Sequence, residues 1–220
     1  MRVALVGGTG DIGNGFAVRW APHYEVIIGS RKAERAQETA AELSGYMRSL
    51  GIETVMDGTD NANAIRDSDV VVLCVPPESL SMVTSDLRDF YSDQIVISPV
   101  VPMARTNHFE YRPPPEGCAA FLVKRSLPES VRVVSAFHTI PAKSLMDAEK
   151  ILKFDVPICG DDKAAKDVVA EMCRKIRDLR PLDAGPLSVS HQVEGLTPLL
   201  LNIARLNKMR RVGVQFIQEE

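Results

Sequence analysis

The stretch MRVALVGGTGDIG, residues 1–13, joins a short β-rich run, Arg2-Val3-Ala4-Leu5-Val6, to a glycine-rich turn that opens a helix. Gly8-Thr9-Gly10-Asp11-Ile12-Gly13 has the spacing G-x-G-x-x-G. Alone that match is weak, because glycines gather in turns for many reasons. Its surroundings make it specific. A strand precedes it, a helix predicted from Ile12 to Ala21 follows and stops at Pro22, and a second strand, Val26 to Ile28, comes next. In such a unit the first glycine permits the tight turn and the second lets the backbone approach a pyrophosphate. The third lets helix and strand pack closely. The anion then meets free N–H groups at a helix N-terminus. The competing reading is a turn that holds no ligand.

The second informative stretch is VIIGSRKAERA, residues 26–36. An acid here, about 20 residues past the glycines, would hydrogen-bond the ribose 2′-hydroxyl of NAD. This chain instead places Ser30, Arg31, Lys32 and Arg35 there. A hydroxyl and two guanidinium groups suit the oxygens of a 2′-phosphate. The residue types therefore point to NADP(H). The alternative is a solvated helix start, since RKAERAQE also makes i,i+4 pairs. That accounts for Lys32 but leaves the missing acid unexplained.

Outward from these units, strands and helices alternate. Helix is expected over Arg31–Leu50, strand over Thr54–Met56, and a short helix over Asn61–Asp67 capped by Asp60 or Thr59. Val70–Val75 is continuous and β-branched, as in a strand buried on both faces of a parallel sheet. Helix is expected over Glu78–Phe90 and strand over Gln94–Ser98, with Pro99–Pro115 read as loop. Cys118–Ser126 reads as helix, Val131–Phe137 and Val156–Gly160 as strands, Asp162–Leu179 as helix and Arg180–Ala184 as a last strand. Leu187–Phe216 reads as mainly helical, interrupted at Thr197-Pro198. The expected fold class is α/β, a Rossmann-type doubly wound, mainly parallel sheet with a small C-terminal helical appendage. Residues 1–186 form the expected NADP-binding domain. Residues 187–220 are too few for a core of their own, and are expected to pack on the main domain or on a second subunit.

Composition narrows the class. At 45% hydrophobic and 25% charged residues, the 220-residue chain can bury a core. A net charge of −3 gives no electrostatic footprint for nucleic acid or a membrane surface. No run approaches the ~18 apolar residues that span a bilayer, and the first residues enter a strand at once, with no signal peptide expected. The four cysteines lack metal-ligand spacing and fit a reduced, cytoplasmic protein, and no metal is expected.

A dinucleotide lies across the carboxyl ends of the strands, so those ends supply the rest of the pocket. The candidates are Val75-Pro76, Ser98-Pro99-Val100 and the stretch VVSAFHTIPA, residues 133–142. His138 lies in the last of these, and its alternative is a hydrogen-bonded structural histidine. No Ser-His-Asp set, no Tyr-x-x-x-Lys and no paired carboxylates stand beside it. A hydroxy-acid dehydrogenase needs a group to handle the hydroxyl proton. A reductase moving hydride between two cofactors needs mainly two rings held face to face.

Several stretches carry a family resemblance: MRVALVGGTGDIG, GSR at 29–31, ISPVVP at 97–102, HTIPA at 138–142, DVPICGDD at 155–162, LRPLDAGPLS at 179–188 and LTPLLLNIARLN at 196–207. Together they resemble the NADP-dependent reductases of the deazaflavin coenzyme F420. The resemblance implies reversible hydride transfer between NADP(H) and coenzyme F420 in a homodimer. It implies that Thr9 to Ile12 hold the pyrophosphate, that Ser30, Arg31 and Arg35 hold the 2′-phosphate, and that Val75, Val100 and Ala142 line the nicotinamide. His138 and Ile140 would touch the deazaflavin, with Val212 a further candidate. His138 would position the ring or stabilise charge on it. Two positions depart from the family: Asp11 stands where Asn is frequent, and Arg35 where lysine is. Asp11 is expected to contribute its backbone N–H and turn its carboxylate away. Two other readings stay open, an NADPH-dependent flavin or ferric reductase and a non-catalytic NADP-sensing protein.

Overall fold

The first strand, β1 (Arg2–Val6), sends Val3 and Leu5 to one side of a sheet and Ala4 and Val6 to the other, and all four are fully buried. A strand covered on both faces reads as a continuous apolar run without alternation. The computed structural model describes residues 1–219 and builds the fold outward from this strand. In chain order, α1 (Asp11–Trp20), β2 (Glu25–Ser30), α2 (Ala33–Ser49), β3 (Met56–Asp60), α3 (Asn61–Arg66), β4 (Val70–Leu73) and α4 (Pro77–Asp86) follow. After β5 (Ile95–Ser98) come a hairpin, β6 (Met103–Arg105) and β7 (Phe109–Tyr111), and then α5 (Ala119–Ser126). The chain continues through β8 (Arg132–Ser135), α6 (Ala142–Leu145), β9 (Asp155–Gly160), α7 (Lys163–Arg174), β10 (Arg180–Gly185) and α8 (Ser190–Leu206).

Eight strands form one sheet in the order β3-β2-β1-β4-β5-β8-β9-β10. It is parallel from β3 to β8; β9 runs antiparallel to β8, and β10 parallel to β9. Strand order reverses between β1 and β4, which opens a crevice at their carboxyl ends. Side chains of α1, α2 and α7, such as Phe16, Trp20, Leu43, Met47 and Met172, pack with Val3, Leu5, Val26, Ile28 and Val72. Ile65 of α3, Leu80 of α4 and Val123 of α5 pack with Ala4, Val6, Val71, Leu73 and Val96 on the other side. In α2 the buried residues Ala36, Ala40, Leu43 and Met47 fall on one helical stripe. Among the described residues no helix is long and apolar enough to cross a membrane.

The doubly wound, mainly parallel α/β fold is as expected, and four local differences have physical reasons. β3 starts at Met56 and runs to Asp60, later than Thr54–Met56, because MDGTD is a half-exposed edge strand without an apolar signature. The 99–115 segment contains the β6–β7 hairpin. Its strands are three residues each, and α8 pins them: the Asn202 side chain accepts from the Phe109 N–H at 2.8 Å and donates to the Phe109 carbonyl at 2.7 Å. The fully buried Glu194 accepts from the Tyr111 hydroxyl at 2.7 Å and from the Ala119 and Ala120 N–H groups at 3.0 and 3.1 Å, so α8 also caps α5.

The third difference is α8 itself, which runs unbroken through Pro198. Proline removes one helical N–H, but tertiary bonds from Glu194, Thr197 and Asn202 hold the turns on both sides. The fourth is that helix ends at Leu206 rather than Phe216. Lys208 takes a left-handed φ of 54° and the Met209 N–H returns to the Ala204 carbonyl at 2.8 Å, a helix-terminating motif. Residues 207–219 then form an irregular strap. Its Val214 carbonyl accepts from the Asp155 N–H at 2.7 Å, and its Phe216 N–H donates to the Asp155 carboxylate.

Candidate functional site

The glycine turn after β1 is held from three directions. Gly7 sits at φ 71°, a left-handed geometry that disfavours side chains, so the strained residue is the one just before the G-x-G-x-x-G spacing. Its N–H donates to Asn61 Oδ1 at 3.1 Å, and the Gly8 N–H donates to the Leu5 and Gly29 carbonyls at 3.0 and 2.9 Å. A Cβ on Gly13 would lie 2.3 Å from the Gly8 carbonyl oxygen, so the helix can approach the turn only with glycine there. At Gly10, apart from its own chain neighbours, no atom of the described residues lies within 4 Å of such a Cβ. The protein thus requires Gly13 for its own packing, while the space over Gly10 is open. Gly10 is the N-cap of α1 and offers no side-chain cap, which leaves the first N–H groups of α1 for an anion. Asp11 is exposed and Ile12 is half-buried against the core.

A cavity of about 730 Å³ lies at this turn, at the carboxyl ends of β1, β2 and β4. It is lined by Gly7, Thr9, Ser30, Arg31, Lys32, Arg35, Asn61, Val75 and Pro76, with Ser79, Met82 and Val83 of α4 beyond them. Among the described residues Arg31, Lys32 and Arg35 form no salt bridge. Ser30, the last residue of β2, is buried, and its Oγ accepts from the Lys32 N–H at 3.3 Å. The nearest strand-end acid, Asp60, pairs in register with Ser30 but is occupied as the cap of α3, accepting from the Asn63 backbone and side chain at 3.0 and 2.6 Å. These bonds, the Asn63 backbone first, lower its carboxyl pKa. The cavity therefore combines three free cations with an uncapped helix N-terminus, a donor set suited to phosphate groups.

A second cavity, of about 460 Å³, lies beyond the carboxyl end of β8. It gathers His138, Thr139, Ile140, Ala142 and Lys143 with Met103 of the hairpin, Thr197, Leu200, Leu201 and Ala204 of α8, and Arg211 and Val212 of the strap. The chain turns into it at Phe137, whose φ of 69° is an outlier for so large a residue. The Phe137 ring is held edge-on against Phe16 at 5.3 Å and Trp20 at 5.5 Å, while those two rings stack at 4.4 Å. Helix α1 thereby fixes the direction in which His138 to Ile140 leave the sheet.

His138 is buried. Its ring Nε2 lies 3.3 Å from Ser135 Oγ, and its carbonyl accepts from the Thr197 hydroxyl at 2.8 Å. Burial, partly offset by the Ser98 backbone, lowers its pKa to about 4, so the imidazole is neutral near pH 7. In the lining of this cavity, His138 Nδ1 and Thr139 Oγ1 are buried without a hydrogen-bond partner. Such atoms are uncommon in folded proteins and fit a site completed by a ligand.

Of the sequence candidates, the first cavity brings together Thr9, Ser30, Arg31, Arg35, Val75 and Pro76, with Gly8, Gly10 and Gly13 in the turn beneath it. The second brings together His138, Ile140, Ala142 and Val212. Ser98 and Val100 are buried and line neither cavity. Sequence reading missed Asn61, Met103, Thr197 and Arg211, which no local pattern marks. Among the described residues no group of three or more His, Cys, Asp or Glu side chains could hold a metal.

A family model described as NADP oxidoreductase, coenzyme F420-dependent, matches residues 2–102. An F420-dependent NADP reductase from Methanocaldococcus jannaschii is 35% identical over 225 residues, covering 100% of both chains. The chain belongs to the F420-dependent NADP reductase family. Another reductase of this family, from Methanothermobacter thermautotrophicus, is 34% identical over 98% of this chain and 94% of its own. The crystal structure of a protein from Arthrobacter sp. FB24 matches with a TM-score of 0.82 at 19% identity, covering 99% of this chain and 100% of that one, a likeness of fold alone. The F420-dependent NADP reductase relatives align over both cavities, the glycine turn at one end of the chain and α8 at the other.

Proposed function

We propose that this protein catalyses reversible hydride transfer between NADP(H) and the 8-hydroxy-5-deazaflavin coenzyme F420. The observation that carries the reading is the full-length likeness to F420-dependent NADP reductases in a chain with two cavities, one phosphate-suited and one apolar, at the carboxyl edge of one sheet. The nicotinamide and deazaflavin rings supply the redox chemistry, and hydride passes between their ring carbons. The N–H groups over Thr9 to Ile12 hold the pyrophosphate, and Ser30, Arg31 and Arg35 the 2′-phosphate. Val75 and Pro76 of the first cavity and Ala142 of the second bound the nicotinamide. His138, Ile140 and Val212 bound the deazaflavin. A neutral, buried His138 suits ring positioning by hydrogen bonding better than charge stabilisation. Positioning and exclusion of water are then the protein's main contributions.

The division into a nucleotide domain, 1–186, and a C-terminal part, 187–220, belongs to the same reading, as does a homodimer. Leu199, Ile203 and Leu206 form an exposed apolar stripe on α8, at 52%, 37% and 74% exposure, which supports a second copy as its cover. Four buried cysteines, none joined in a disulfide, support a reducing, cytoplasmic setting.

The test mixes the protein with oxidised F420 and follows loss of its visible absorbance, comparing NADPH with NADH and using FMN as a control acceptor. Bleaching with NADPH and little with NADH supports the reading. Bleaching with FMN alone would move it to a flavin reductase, and NADPH binding without turnover on any acceptor to a sensor. Sedimentation velocity tests the dimer, and a monomer at micromolar concentration would refute it.

A further inference from the structure

Glu194 of α8 is fully buried, and among the described residues it forms no salt bridge. Neutral donors hold its carboxylate instead. The Tyr111 hydroxyl of β7 and the Ala119 N–H donate to Oε2, and the Ala120 N–H, also in the first turn of α5, donates to Oε1. Burial raises its carboxyl pKa, and these donors, the Ala119 N–H first, oppose the rise. Desolvating a carboxylate costs free energy that such bonds only offset, and an apolar side chain would fill the position without that cost. What three directed bonds add is geometry, because they fix where α8, the hairpin and the start of α5 meet.

Glu194 does not line the second cavity, yet both chains of contact that leave it end there. Tyr111 pairs in register with Met103 across the hairpin, and Met103 lines the cavity. One turn further along α8, Thr197 lines the cavity too and donates to the His138 carbonyl. The hairpin is a sheet of two strands only, and such a pair is marginal without support. Asn202 grips it at Phe109, and the Arg205 guanidinium donates to the Asn107 carbonyl, both near its turn. Glu194 grips the opposite, open end, where Met103 sits.

We propose that Glu194 is a positioning residue for the second cavity, setting the Met103 wall through Tyr111 and the His138 wall through Thr197. This rests on the reading that the ring of F420 lies in that cavity, and it names a residue outside the pocket that holds two of its sides in register. Freed at Tyr111, the open end of the hairpin carries Met103 away from the ring. Freed at Glu194, α8 also loosens its hold on the 138–142 turn through Thr197. A ring held less closely binds more weakly and meets its hydride partner less often. The glycine turn that holds the nucleotide is built on β1 and α1 and does not feel the change.

The experiment compares wild type, Tyr111→Phe, Glu194→Gln and the double variant. Tyr111→Phe keeps the ring and removes one donor. Glu194→Gln keeps the size but exchanges one acceptor oxygen for a donating amide, so it cannot serve all three donors. KM for F420 should rise ~5-fold in Tyr111→Phe, as for one lost hydrogen bond, and ~10-fold or more in Glu194→Gln, while KM for NADPH changes less than ~2-fold. The double variant should be no worse than Glu194→Gln, since both changes break the same bond. Amide hydrogen exchange, read by mass spectrometry without any ligand, should quicken ~5-fold over 103–111 in Tyr111→Phe, and over 138–142 as well in Glu194→Gln. Should Glu194→Gln fail to fold, Tyr111→Phe decides alone. Equal rises in both KM values, or faster exchange of the hairpin with KM for F420 unmoved, would overturn the assignment. Wild-type protein that binds NADPH but turns over no F420 would overturn the acceptor, and the assignment to that ring with it.

Discussion

Arg19, in the last turn of α1, offers the sharpest test of how the second cavity is held. Its buried guanidinium donates to four carbonyls: Leu145 at 2.9 Å, Ala148 at 3.0 Å, Ser144 at 3.1 Å and Lys150 at 2.9 Å. Desolvation lowers its pKa, opposed by Asp147, yet an arginine remains charged. One side chain therefore gathers the loop 144–150 and ends α6, the element that carries Ala142 and Lys143. Arg19→Met keeps the stem but leaves those carbonyls without a donor. Four charged hydrogen bonds at ~1.5–3 kcal/mol each would sum to more than is lost, because the loop can relax toward water. The figure for breaking a buried charged network, ~3–5 kcal/mol, is the better guide. At ~2–4 °C per kcal/mol for a chain of this size, Tm should fall ~6–20 °C.

Thermal unfolding measures that fall, and steady-state kinetics separates its functional side. KM for F420 should rise while NADPH affinity holds, since the glycine turn lies at the other end of α1. Arg19→Lys, with a compact head that cannot reach four carbonyls, should recover less than half of the stability. A Tm change under ~2 °C for Arg19→Met, or an equal loss of affinity for both substrates, would refute the reasoning.

Three further outcomes are expected. Removing Arg31 or Arg35 should lower the preference for NADPH over NADH ~10-fold each by losing a charge-assisted phosphate contact, read from kcat/KM ratios; an unchanged ratio would return these residues to the solvated surface. Gly13→Ala, whose Cβ would collide with the Gly8 carbonyl, should destabilise by ~1–3 kcal/mol or more, whereas Gly10→Ala should lose ~1 kcal/mol or less and chiefly weaken NADPH binding, so equal melting shifts in the two variants would contradict the geometry. His138, with its pKa lowered to about 4 by burial, takes up a proton more readily in the unfolded chain. Stability should therefore fall as pH drops below ~6.5, by ~3 kcal/mol near pH 4, and His138→Gln should remove that share of the slope in denaturant midpoints; an identical slope would sink the argument.

Where a structural demand is local, this sequence states it openly. The β1 turn needs Gly13 because the chain meets itself five residues away, and β4 needs branched residues because both of its faces are covered. The first cavity was legible for the same reason: its turn and its cations lie within the first 35 residues, on consecutive elements. The hairpin at 103–111 escaped notice because three-residue strands carry almost no period, and what fixes them is Asn202 and Glu194, more than 80 residues on. Pro198 misled in the opposite sense, since local propensity argues for a break that tertiary hydrogen bonds override.

By itself, then, the sequence determined the doubly wound sheet, the phosphate-suited turn and the missing acid that points to a 2′-phosphate, all matters of backbone sterics and short-range pattern. Only the tertiary structure decided the second cavity, the neutral state of His138, the reach of Arg19 and the place of Glu194 among α8, β7 and α5. Those depend on burial and on contacts between segments distant along the chain, which no window of neighbouring residues encodes.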